Sequence, residues 1–155
     1  MPVRQIAEAA DAGKLVLSGK PLAFTRSEAG ASLASRQAAK VRVRSGHEFR
    51  VEPATAETRS LVSTGALGTI MHSDANFRHD KLVGVPAINW RSSPNDVLAA
   101  GMFAMGVYLT DAFIDRLGPF DEVFASVTSR ATFPDNGDVD SAHLRFGSDP
   151  PRKRM

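Results

Sequence analysis

From Ser93 to Gly118 the chain reads SPNDVLAAGMFAMGVYLTDAFIDRLG, with no charged residue between Val97 and Leu109. The apolar side chains of that run fall on every side of a 3.6-residue period, the pattern of a helix covered nearly all round. Both ends are marked. Ser93 suits an N-cap, Pro94 the first helical position, and Asp96 a place near the positive end of the helix dipole. Gly118-Pro119 is a stop signal. A bilayer needs about 20 apolar residues, and Asp111, Asp115 and Arg116 interrupt the run too soon for that. Ala100, Gly101, Ala104 and Gly106 leave room for neighbouring backbone, which predicts a curved sheet around this helix rather than a bundle.

Elsewhere the patterns are shorter. Ile6 to Ala12 predicts a helical turn that Gly13 ends, and Lys14 to Ser18 and Pro21 to Thr25 predict extended pieces joined at Gly19. Residues 26–39, rich in Ser, Ala and Gly, read as a loop or a weak helix. Lys40 to Arg44 alternates, with Val41 and Val43 on one face and Arg42 and Arg44 on the other, the mark of a half-buried strand. Ser45-Gly46-His47 then predicts a turn, and Glu48 to Val51 its hairpin partner. A short helix is expected near Glu57 to Val62. Glu122 to Pro134 predicts a strand with Val123, Ala125, Val127, Ala131 and Phe133 on one face, closed by a turn at Asp135 to Asp138.

Composition narrows the class. At 155 residues, 43% hydrophobic and 23% charged, the chain is expected to form one domain over 1–147 with a solvated basic tail at 148–155. A net charge of +2 is too small to argue for nucleic acid. The absence of cysteine removes disulfide and thiolate chemistry, and the first 14 residues hold no secretory core. A cytoplasmic setting is the expectation, with no membrane span. His47 and His143 have no partner at ligand spacing, so no metal site is argued.

The candidate chemistry lies in His72 to Asp80, HSDANFRHD, where Asp74 and His79 stand five residues apart with Asn76 between. A turn can bring such a carboxylate and imidazole to one water molecule, where together they remove and return a proton. Turn formation alone also accounts for Asp74 and Asn76, because Asx side chains bond nearby amides.

The order of features resembles the MaoC-like hydratases and dehydratases of the hot-dog fold. The Asp-x-Asn-x-x-His loop precedes a helix containing Ala100-Gly101-Met102-Phe103-Ala104-Met105-Gly106, and the strand after it ends in Phe133-Pro134 before an acidic Gly turn. The resemblance covers about residues 70–138. It implies an α+β hot-dog fold, a curved antiparallel sheet wrapped around a long buried central helix. The strands missing after Asp138 would come from the N-terminal part in a circularly permuted order. It also implies Asp74 and His79 as the catalytic pair, Asn76 as the turn-shaping residue, and the Gly101 amide as the donor to a thioester oxygen.

Trp90 either lines the acyl pocket of that reading or covers the core, and Arg42, Arg44 and Arg50 either receive coenzyme phosphates or form a solvated strand face. The implied activity is hydration or dehydration of an enoyl thioester, carried on coenzyme A or phosphopantetheine, with no metal and no redox cofactor. A dimer with itself or another hot-dog subunit is expected. The alternative is a non-catalytic hot-dog subunit that binds acyl thioesters or supports an active partner. Ser73, Phe77, Arg78 and Ala100 stand where the family prefers Gly, Pro, an aliphatic residue and His. A helix capped at Ser93 would already engage the Gly101 amide, whereas one beginning near Ala99 would leave it available.

Overall fold

The computed structural model describes residues 2–77, 84–86, 88–93, 97, 101–128 and 139–147. The chain divides into two compact units, 1–48 and 49–155.

In the first unit, α1 (Pro2–Asp11), β1 (Val16–Ser18), α2 (Arg26–Ala38) and β2 (Val43–Ser45) follow in order. Ile6 and Ala10, one helical turn apart on α1, are each 1% exposed, and Ser32 of α2 is buried with them. Small residues at this contact let the two helices approach closely. Helix α2 begins with a reciprocal capping box: the Thr25 hydroxyl accepts from the Glu28 amide, and the Glu28 carboxylate accepts from the amides of Phe24 and Thr25. That signature outweighs the weak periodicity of 26–39, which is why a helix forms there. Strands β1 and β2 pair in parallel, Val16 with Val43 and Ser18 with Ser45. A parallel pair needs a crossover, and α2 provides it. Glu48–Val51 is therefore not the hairpin partner of β2; it forms a 3-10 turn.

The second unit holds α3 (Pro53–Ser63), the π-helical segment Met102–Gly106 running into α4 (Val107–Leu117), and the antiparallel pair β3 (Phe120–Thr128) and β4 (Val139–Phe146). Pro53 at the first helical position starts α3. Gly118, at φ 89°, ends α4 as its sequence demands.

The hot-dog expectation fails here. A sheet wrapped around a greasy helix buries one face, but β3 is exposed from Asp121 to Thr128, with Val123 at 49%, Phe124 at 71% and Val127 at 51%. The helix is not enclosed either: in 101–117 only Tyr108 is buried, Ile114 is exposed, and α3 packs on α4. The period-2 alternation of β3 was real, but alternation does not reveal what lies on either face. The turn expected at Asp135 to Asp138 lies outside the described residues. Among the described residues no helix is long and apolar enough to cross a membrane.

Candidate functional site

The first unit offers one place where loops converge. Because β1 and β2 run in parallel and in register, both carboxyl ends face the same way, and the Gly46 amide donates to the Ser18 carbonyl at 2.8 Å. Ser18-Gly19-Lys20 and Ser45-Gly46-His47 leave the pair there. In open α/β sheets this end is where ligands bind, since the loops that leave it are free to diverge in sequence while the strands hold them. Lys20 is half-buried, and the Lys20–Pro21 peptide is cis. The Ser45 hydroxyl is buried without a hydrogen-bond partner among the described residues, an unmet polar group that a ligand can satisfy. The N-terminus of α2 is unfavourable for a phosphate, because the Glu28 carboxylate folds back over it onto the Phe24 and Thr25 amides and the Thr25 hydroxyl takes the Glu28 amide.

The second unit carries a network of charges. Arg50 meets Asp111 through two bonds of 2.6 Å, and Asp115 through a third of 3.1 Å. Arg59 donates to Asp115 at 2.5 Å and to the Arg50 carbonyl at 3.1 Å. Asp111 and Asp115 lie one helical turn apart on α4, so one face receives both arginines. The Asp111 hydrogen bond holds the Arg50 guanidinium above its ordinary range, whereas burial pulls Arg116 down. Arg116 donates to the carbonyls of Ala112 and Thr55. Beside this network the Phe49 ring stacks on Tyr108, centroids 4.4 Å apart and 15° from parallel, with Phe77 tilted at 6.4 Å. Every guanidinium here is turned to a protein oxygen, so the network braces α3 and α4 rather than presenting charge to a ligand.

Asp74 and Asn76 are exposed in a stretch without regular secondary structure, and His79 lies outside the described residues. Trp90 begins a 3-10 turn and is 54% exposed, so it does not cover the core. Gly101 sits in helical conformation at φ −64° and ψ −50°, directly before the π-helical segment. Among the described residues no cluster of His, Asp and Glu gathers at metal-binding spacing. With a strand expected at 21–25, nothing in the local pattern singles out Lys20. Thr25-x-x-Glu28, a capping box directly after a strand and Gly-Lys-Pro, was the available signal that a helix follows and that the loop before it tops a βα unit.

A family model for the GFO/IDH/MocA C-terminal domain matches residues 55–150. No curated protein matches the chain. Among solved structures, a Desulfitobacterium hafniense protein described as an NADPH-dependent oxidoreductase is similar at 23% identity and a TM-score of 0.88, covering 96% of this chain and 43% of its own. An oxidoreductase domain protein from Kribbella flavida matches at 24% identity and 0.82, over 94% of this chain and 44% of its own. The WlbA dehydrogenase from Bordetella pertussis, solved with NADH and UDP-GlcNAcA, matches at 22% and 0.79, over 94% and 44%. At these identities the likeness is one of fold, and the chain spans less than half the length of each relative.

These matches overturn the MaoC-like resemblance. The hot-dog fold, the enoyl thioester hydratase or dehydratase activity, its non-catalytic hot-dog alternative and the absence of a redox cofactor give way to the GFO/IDH/MocA C-terminal domain family, with a fold shared by solved structures described as an oxidoreductase and a dehydrogenase. The misleading signal was a polar loop ahead of an apolar helix, a combination that does not specify the sheet beside it.

Proposed function

The chain belongs to the GFO/IDH/MocA C-terminal domain family, and on that premise we propose that it serves an NAD(P)-dependent oxidoreductase acting on a polyhydroxylated substrate such as a sugar or sugar nucleotide. The observation that carries the reading is the convergence of Gly19-Lys20 and Gly46-His47 at the carboxyl ends of β1 and β2. The nucleotide and the sugar are taken from the WlbA dehydrogenase complex.

The residues at that end fit the nicotinamide portion and the substrate hydroxyl: the Ser45 hydroxyl lacks a partner and Lys20 adds an amine. They do not fit the pyrophosphate. The sequence contains no G-x-G-x-x-G turn, and Glu28 occupies the α2 N-terminus. The pyrophosphate is accordingly assigned to the portion of the relatives that this chain does not span.

A nicotinamide nucleotide, when bound, supplies the hydride acceptor or donor. In the reducing direction Lys20 Nζ gives a proton to the carbonyl oxygen, and in the oxidising direction the neutral amine takes it from the hydroxyl. The half-burial of Lys20 excludes part of the competing water. Equilibrium titration with NADH and NADPH tests the reading. Saturable binding that Lys20→Met weakens by about tenfold or more supports it. Absence of binding, or equal binding by the variant, opposes it.

A further inference from the structure

Parallel strands are joined by crossovers that lay helices against the sheet, so a parallel pair is normally covered on both faces. Among the described residues of the first unit, only one face of β1 and β2 has that cover. Val16, Ser18, Val43 and Ser45 are half-buried and share this face, and α1 packs on both β1 and α2. Leu17 and Arg44, side by side in the register, point to the opposite face and are exposed. Leu17 is 79% exposed, and Leu15, two residues before it, is 76% exposed. The Val16 amide donates to the Arg42 carbonyl at 3.0 Å, which extends the pairing and brings the exposed Arg42 alongside.

Two adjacent leucines this exposed on a parallel pair form a surface suited to being covered. The two arginines decide what covers it. Neither is paired with a carboxylate among the described residues, and residues 1–48 hold eight Lys and Arg against four Asp and Glu. A second copy of the chain would set the same cations against one another, whereas an acidic partner meets them with carboxylates. A helix suits the leucines: alternate strand positions lie roughly 7 Å apart, close to the spacing of about 5–6 Å between helical neighbours three or four residues apart.

We propose that the outer face of β1 and β2 docks an amphipathic helix of another polypeptide, with Leu15 and Leu17 against its apolar stripe and Arg42 and Arg44 against flanking carboxylates. This surface lies on the face opposite Ser18 and Ser45 and needs no bound nucleotide.

The probe is a dye-labelled helical peptide of about 18 residues, with leucines at i, i+3, i+4 and i+7 spacing and glutamates flanking them; a matched peptide carries lysines in place of the glutamates. Fluorescence anisotropy is expected to show saturable binding of the glutamate peptide alone, weakened by about tenfold or more in Leu17→Ser. The double variant Arg42→Glu with Arg44→Glu is expected to weaken the glutamate peptide by a similar factor and to bind the lysine peptide instead. All three positions are exposed, and circular dichroism checks that each variant is folded. Amide shifts on binding are expected at residues 15–17 and 42–44. No saturable binding of the glutamate peptide, equal binding of both peptides by the wild type, or shifts centred elsewhere overturns the proposal. So does a concentration-dependent dimer in sedimentation that Leu17→Ser abolishes, which would make this face an interface between copies of the chain.

Discussion

Arg50 grips Asp111 with two parallel bonds, Nε to Oδ2 and Nη2 to Oδ1, each 2.6 Å long. This fork geometry is the strong form of the arginine–carboxylate pair, since both partners are planar and both bonds are charge-assisted. The pair is partly shielded, with the arginine side chain 37% exposed and the aspartate 15%. It joins residues 61 positions apart in sequence.

Replacing either partner should therefore cost more than breaking a surface ion pair. Arg50→Lys keeps the charge but loses the fork, and Asp111→Asn keeps the shape but loses the charge. Each is expected to lower stability by about 1–2 kcal/mol in denaturant unfolding, a figure reduced for the exposure of the arginine.

The pH dependence of this contribution follows from the direction of the Arg50 shift. Its pKa is raised in the fold, chiefly by the Asp111 hydrogen bond. The stabilisation is thus complete below the unfolded arginine value and fades only as pH rises through the higher folded one. The stability difference between wild type and Arg50→Gln, which has no titrating group at this position, should be flat from roughly pH 6 to pH 9 and should shrink only in strong alkali.

Lys40 closes α2 at φ 54°, a left-handed conformation costly for any residue with a Cβ. The bonds around it, Val41 amide to Arg36 carbonyl and Lys40 amide to Gln37 carbonyl, repeat those at Gly13 after α1 and Gly65 after α3. Lysine occupies the position that glycine fills at the other two helix ends. Lys40→Gly should raise stability by about 0.5–1 kcal/mol, visible as a higher unfolding midpoint.

Thr25→Ala removes one half of the capping box and should cost about 1 kcal/mol. Glu28→Ala is expected to cost a similar amount, and the double variant less than the sum, because each bond orients the other. Thermal unfolding of the four proteins checks the coupling.

Gly106, at the junction of the π-helical segment and α4, has the Met102 side chain where its Cβ would stand. Gly106→Ala should destabilise by about 1–3 kcal/mol. Because the obstacle is a flexible thioether, Gly106→Ala combined with Met102→Ala should recover part of the loss; no recovery would show that the backbone itself requires the glycine.

Local signals in the sequence held up well. The stop at Gly118, the turn at Gly13, the short helix in 53–63 and the strand starting near Glu122 all rest on residues with one strong local preference. Pairing was not legible. Val41-Arg42-Val43-Arg44 has the alternation of a strand in either direction, and the neighbouring Ser-Gly-His suggested a hairpin, yet its partner is β1, reached across a whole helix. The candidate site depends on that pairing, since Lys20 becomes notable only when the ends of β1 and β2 are known to lie side by side. The Arg50–Asp111 fork was equally hidden, because no local pattern links a 3-10 turn to a helix 61 residues away.

The claim that the carboxyl ends of β1 and β2 receive a nicotinamide nucleotide is tested most directly by amide-resolved nuclear magnetic resonance during titration with NADH and NADPH. The account predicts saturable shifts concentrated at Gly19, Lys20, Gly46 and His47, and their loss at the same ligand concentrations in Lys20→Met. Shifts centred on the second unit, or a pattern at Gly19 and Gly46 that Lys20→Met leaves intact, would contradict it.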